Sequence, residues 1–176
     1  MKKTQSLLLA LLTIVLASCS TIDVNYSQQT LNKDATWAVL PIVNHTDAPQ
    51  AGLRAEAIAE AMLRTRGIEN VERYPAEMNA DTVFEPAGRK AVDQALDWAA
   101  KQQVRYAVTG TVDEWRYKVG VDGEPVVGLV MQIINMENRA VVWSAVGAKS
   151  GWSRESVSSV AQELLGKMFN NIPLAE

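Results

Sequence analysis

Residues 105–150, RYAVTGTVDEWRYKVGVDGEPVVGLVMQIINMENRAVVWSAVGAKS, decide the fold of this chain. They divide into three β-rich runs, 105–118, 126–136 and 140–150, with Asp122-Gly123 and Glu137-Asn138 as turn signals between them. Strands joined by such short turns pair antiparallel. In the first run Tyr106, Val108 and Val112 share the even phase, whereas Trp115, Tyr117 and Val119 are odd. The apolar face therefore switches near Asp113, and with Gly110 close by the expectation is a bulge or a sharp twist.

Downstream, Val157, Val160, Ala161, Leu164, Leu165 and Met168 follow helical spacing behind Ser153 or Ser156 as cap. Upstream, the short apolar run WAVLPIV at 37–43 reads as a buried first strand whose ladder Pro41 limits. Leu53, Ala57, Ile58, Ala61 and Met62 then repeat at helical spacing until Gly67. A weak strand at 68–73 and a Pro-containing connection at 75–86 precede a second helix over 87–102, marked by Ala91 or Val92, Ala95, Leu96 and Ala99. The order βαβαβββα predicts a mixed sheet flanked by helices, an α/β (α+β) domain spanning 36–176.

The start of the chain bears on location. Lys2 and Lys3 precede an apolar run from Leu7 to Leu16, broken only by Thr13 and too short to span a bilayer, so residues 1–18 read as a signal peptide. The run ends in Leu16-Ala17-Ser18-Cys19, which resembles the bacterial lipobox, with Cys19 as the acylated N-terminus of the mature chain. Cys19 is the only cysteine, so no internal disulfide is available. Residues 19–35 are polar and show no periodicity, and are expected to form a lipidated, flexible tether reaching about 50 Å when extended. Loss of residues 1–18 removes two lysines and no acid, leaving 15 Lys+Arg against 20 Asp+Glu, a formal net charge of −5. That balance excludes the basic footprint of a nucleic-acid binder.

Catalytic chemistry finds little to work with: one histidine, a cysteine assigned to lipid, no Gly-rich phosphate loop and no metal-ligand spacing. His45 sits in a polar loop after the first strand and reads as solvated or turn-capping. Asp113, Glu114, Asp122 and Glu124 cluster around one hairpin. They are a solvated acidic end, a glycosidase pair built on Asp113 or Glu114, or a negative surface that an oligomer would multiply. Trp37, Trp98 and Trp143 fall within core patterns, whereas Trp152 lies in the polar corner Ser150-Gly151-Trp152-Ser153-Arg154. It is either a membrane-interface or partner-contacting ring, or one buried under its loop.

Several segments together resemble one family. They are WAVLP at 37–41, TDAPQAGLRAEA at 46–57, TGTVDEWRYK at 109–118, DGEP at 122–125 and SGWSRE at 150–155. The resemblance is to the PelC family of outer-membrane lipoproteins in Pel exopolysaccharide export, and it covers nearly the whole mature domain. It implies a fold like the anticodon-binding-like N-terminal domain of TolB, and a non-enzymatic protein without a cofactor beyond the covalent lipid on Cys19. It further implies a homododecameric ring on the periplasmic side of the outer membrane, beside a PelB-type porin, that guides a cationic polysaccharide into the biofilm matrix. On that resemblance Asp113, Glu114, Asp122 and Glu124 are candidates for a polymer-attracting acidic surface, and Trp152 for a ring facing membrane lipid. A different reading, a tethered activator of a cell-wall synthase, rests on the free length of residues 20–35.

Overall fold

The computed structural model describes residues 20–26, 29–75, 78, 89–120 and 123–175. The signal peptide and Cys19 lie outside the described residues, as does Asp122. The elements in chain order are β1 (Ser20–Tyr26), β2 (Trp37–Asn44), α1 (Ala51–Thr65), β3 (Val71–Arg73), α2 (Arg89–Lys101), β4 (Tyr106–Tyr117), β5 (Pro125–Asn135), β6 (Ala140–Ser150) and α3 (Val157–Phe169). Six strands form one mixed sheet in the order β1-β6-β5-β4-β2-β3, with β2 parallel to β3 and β4 and every other pair antiparallel. This is the α+β architecture expected, with one strand added.

That strand corrects the tether. Residues 20–26 pair along their length with β6, from Ser20 opposite Lys149 to Tyr26 opposite Trp143. Ile22 and Val24 pack against the main core. Further on, Leu31 is fully buried and bridges Leu174, its N–H donating to the Pro173 carbonyl at 2.7 Å. The alternation Ile22-Asp23-Val24-Asn25 is a half-buried strand pattern, but four residues of it carry little signal until an exposed edge of β6 is there to receive them. The domain thus begins at residue 20, next to Cys19, and not at Thr36.

The connections explain the two-sided cover. The unit β2-α1-β3 moves outward in the sheet, and β3-α2-β4 returns across β2; crossovers of one hand then place the two helices on opposite faces. Accordingly α1 and α3 share the large core with Trp37, Val108, Leu129, Met131 and Trp143, while Ala95 and Ala99 of α2 join a smaller cluster with Ala38, Leu40, Tyr74 and Ala107. The β4–β5 register shifts between Val112 and Glu114, leaving Asp113 as the extra residue, so Val112 and Trp115 both point into the large core. The expected switch of face at Asp113 is this bulge.

The first helix turns a different side inward from the one its bulky residues mark. It buries Ala51, Gly52, Ala55, Glu56, Ala59 and Leu63, and leaves Leu53, Ala57 and Ala61 exposed. Close approach decides this: a Cβ on Gly52 would lie 2.1 Å from the Ile42 carbonyl oxygen, so only small residues fit between α1 and β2. The last helix behaves as read, with Ser156 as N-cap accepting from the Ser159 N–H at 3.0 Å.

Candidate functional site

The EWRYK end of β4, Glu124-Pro125 and SGWSRE meet at one end of the sheet. Gly151 leaves β6 with its N–H on the Pro125 carbonyl at 2.8 Å, and a Cβ there would strike the Glu155 carboxylate and Val160 side chain at 2.5 Å. Glu155 folds back to accept the Trp152 N–H at 3.0 Å, while its own N–H donates to the Trp152 carbonyl. Tyr117 at the end of β4 donates its hydroxyl to the Glu155 carbonyl, and Lys118 reaches both Glu124 and the Ser150 hydroxyl. The EWRYK and SGWSRE segments thus brace one another.

The brace leaves Trp152 with 57% of its surface exposed; Tyr117, bonded to the same brace, is half-exposed, and Val119, two residues further along the chain, is fully exposed. Burial under the loop is therefore excluded for Trp152. The other tryptophans pack inward: Trp37 and Trp143 are buried, Trp115 lies beneath the bulge, and Trp98 meets Tyr74 edge-on at 5.4 Å. Ser20, the residue after Cys19, is opposite Lys149, three positions before Trp152. Ser20 and the exposed tryptophan occupy the same end of the molecule.

The structure brings some of the candidate acids together and separates others. Asp113 and Glu114 line a trough of about 490 Å³ with Thr21, Asp23, Arg116, Gly128, Val146 and Ala148. This trough lies on the half of the sheet that α2 does not cover. Glu124 lies apart at the hairpin, 3.2 Å from Lys118. Each described candidate has a basic neighbour: the His45 Nδ1–H donates to Asp113 at 2.9 Å and Arg116 pairs with Glu114 at 2.7 Å. The His45 contact joins the loop after β2 to the bulge of β4, 68 residues away along the chain, a pairing that local sequence does not signal. Asp23, the further acid of the trough, was hidden in the expected tether. Among the described residues no three His, Cys, Asp or Glu side chains gather as metal ligands, and no helix is long and apolar enough to cross a membrane.

Another acid escaped notice because it lies on the inward side of α1. Glu56 is 4% exposed and accepts the Ile42 N–H at 3.0 Å. Pro41 interrupts the β2–β4 ladder between Val39 and Ile42, and Glu56 serves the backbone group left without a strand partner. Burial pushes its carboxyl up to about 7, against the lowering effects of the Ile42 N–H and the Arg73 charge. The loop before α1 is held by Asn44, whose side chain donates to the Ala48 carbonyl and accepts from Thr46. The TDAPQAG segment is therefore a scaffold that seats Gly52 on β2.

No protein-family model and no curated protein sequence matches the chain. Solved structures do. A PelC protein from Paraburkholderia phytofirmans, solved as a dodecamer, is 40% identical over 90% of this chain and 100% of its own, with a TM-score of 0.76. A single-substitution variant of that protein, also a dodecamer, is 41% identical over 89% of this chain and all of its own, again at 0.76. The lipoprotein GNA1162 from Neisseria meningitidis shares the fold alone, at 16% identity and a TM-score of 0.53 over 78% of this chain and 97% of its own. With two-fifths identity to PelC along nearly its full length, the chain belongs to the PelC family.

Proposed function

We propose that this protein is a non-enzymatic component of Pel polysaccharide export, acylated at Cys19 and assembled as a homo-oligomeric ring on the periplasmic side of the outer membrane. The observation that carries the reading is the 40% identity, over 90% of the chain, to a PelC that forms a dodecamer. The short path from Cys19 to β1 supports the anchoring. With Ser20 already paired to β6, the acyl chains hold the Trp152 end of each domain at the headgroups, where an exposed tryptophan with Arg154 beside it is at home. Twelve copies would repeat that contact around a circle and keep it flat against the membrane.

In the same reading the ring guides a cationic polysaccharide toward a PelB-type porin. A mature chain of formal charge −5 gives an assembly a strongly negative field, which raises the local concentration of a polycation. Of the four candidate acids we assign Asp122 and Glu124, in the segment joining β4 to β5, to that surface, since Asp113 and Glu114 line the trough on the open sheet face instead. The activator of a cell-wall synthase loses the free length it needs, since residues 20–26 form β1 and Leu31 lies in the core.

Light scattering of the detergent-extracted, acylated protein tests the ring. The expected mass is that of many protomers, and it should be unchanged in Trp152→Ala, while a Cys19→Ser form carrying Trp152→Ala binds lipid vesicles at least tenfold more weakly than Cys19→Ser alone. A single-chain mass under all conditions refutes the ring, and equal vesicle binding refutes the role of Trp152.

A further inference from the structure

The sheet is covered unevenly. On one face α1 and α3 pack across the large core, but on the other, among the described residues, α2 covers only the β2–β4 half. The remaining half, formed by β1, β6, β5 and the far end of β4, presents Thr21, Asp23, Val146 and Ala148 to solvent, with Val146 49% exposed. The reverse side of the molecule carries the apolar stripe that α1 turned outward, Leu53, Ala57 and Ala61, with Leu53 39% exposed. Small residues on a helix allow a close approach to a flat sheet, and Gly128 and Ala148 keep the floor of the trough low.

We infer that the open half-face of one copy receives the outward stripe of α1 from the next copy, completing the missing layer and stacking the subunits head to tail. This rests on the ring reading and names the surfaces that form it. A ring requires two different, complementary patches on each subunit, which these are.

Charge and height agree with the pairing. Of the four charged residues lining the trough, Asp113 pairs with His45 and Glu114 with Arg116, whereas Asp23 has no ion pair among the described residues. On the outward arc of α1, Arg64 is engaged by Glu60 and by the Glu69 and Val71 carbonyls, whereas Arg54 has no ion pair among the described residues. Asp23 is level with Val43 through the register Asp23–Val146–Val130–Thr111–Val43. Gly52 abuts Ile42, so Arg54 lies close to that same level. With Ser20 and Trp152 at one end of the strands, the ring axis runs along them, and rotation about it preserves height. Asp23 of one copy then meets Arg54 of the next.

Edge-to-edge joining of sheets is the competing geometry, and the structure blocks it. The β3 edge is only three residues long, and Arg64 caps its Val71 carbonyl at 2.8 Å.

The test uses acylated protein in detergent, sized by light scattering, with circular dichroism verifying the fold. Val146→Arg spoils the open face and Ala57→Arg spoils the stripe; each alone should reduce the ring to single protomers. Mixed in equal amounts, they should form pairs that grow no further, because each partner retains the patch the other lacks. Thr21→Arg serves as a second variant of the face should Val146→Arg unfold, and the exchange Asp23→Arg with Arg54→Asp should restore a ring that either change weakens at least tenfold. A wild-type ring with either spoiled variant still fully assembled overturns the inference and leaves the ring standing. A wild-type single protomer overturns both.

Discussion

Glu56→Gln separates the buried carboxyl's charge from its hydrogen bond. In the native protein the folded state holds this carboxyl near 7 rather than at its ordinary 4.5, so folding disfavours the ionised form. The folded state thus binds the proton more tightly than the unfolded state does. The cost of ionisation is absent below about pH 4.5, grows as pH rises from about 5 to about 7, and is constant above that. A rise of this size corresponds to about 3 kcal/mol between the two limits. Glutamine retains an oxygen for the Ile42 N–H and cannot ionise. Urea unfolding followed by circular dichroism between pH 5 and 8, at one protein concentration, should show native stability falling with pH and the variant's falling by about 2.5 kcal/mol less over the same range. At pH 8 the variant should be the more stable of the two. Parallel pH profiles for the two proteins would refute the argument, because they would mean that the Glu56 carboxyl is not desolvated. Glu56→Ala, by contrast, leaves the Ile42 N–H without its acceptor and should cost about 1–3 kcal/mol at pH 5, where the native carboxyl is neutral.

Two further outcomes follow from close packing at the other contacts. Gly52→Ala places a methyl group 2.1 Å from the Ile42 carbonyl oxygen, a backbone atom that cannot swing aside, and should cost about 1–3 kcal/mol, read as a lower thermal midpoint with the fold retained. Deleting residues 20–26 from a form that lacks acylation removes Ile22 and Val24 from the core and uncovers β6; a loss of about 3 kcal/mol in urea unfolding is expected, and an unchanged midpoint would return this segment to the status of a tether.

Legibility in the sequence followed the length and strength of each pattern. The three β-rich runs, their antiparallel pairing, the bulge at Asp113 and the final helix were readable because each rests on local alternation or on five or more apolar positions at one period. α1 was assigned correctly as a helix, but its inward arc was not, because bulky apolar residues lie on the side that solvent sees and a glycine marks the side that touches β2. β1 is hidden for a related reason: a strand of seven residues, anchored in the core through Ile22 and Val24, is made by its partner. Of the candidate site, Trp152 stood out through its polar, Gly-containing corner, whereas the pairing of His45 with Asp113 and the approach of Asp23 to Glu114 depend on segments far apart in the chain.

By itself, the sequence determined the identity of the main strands and helices, the acidic balance, the lipobox-like Cys19 and the segments that resemble PelC, because all of these are encoded in neighbouring residues. The tertiary structure alone decided that the chain enters the sheet one residue after that cysteine, that Glu56 is buried against an interrupted ladder, and that half of one sheet face stays open. Those features depend on which surfaces meet across the fold, where close packing and unsatisfied backbone groups outweigh local preference.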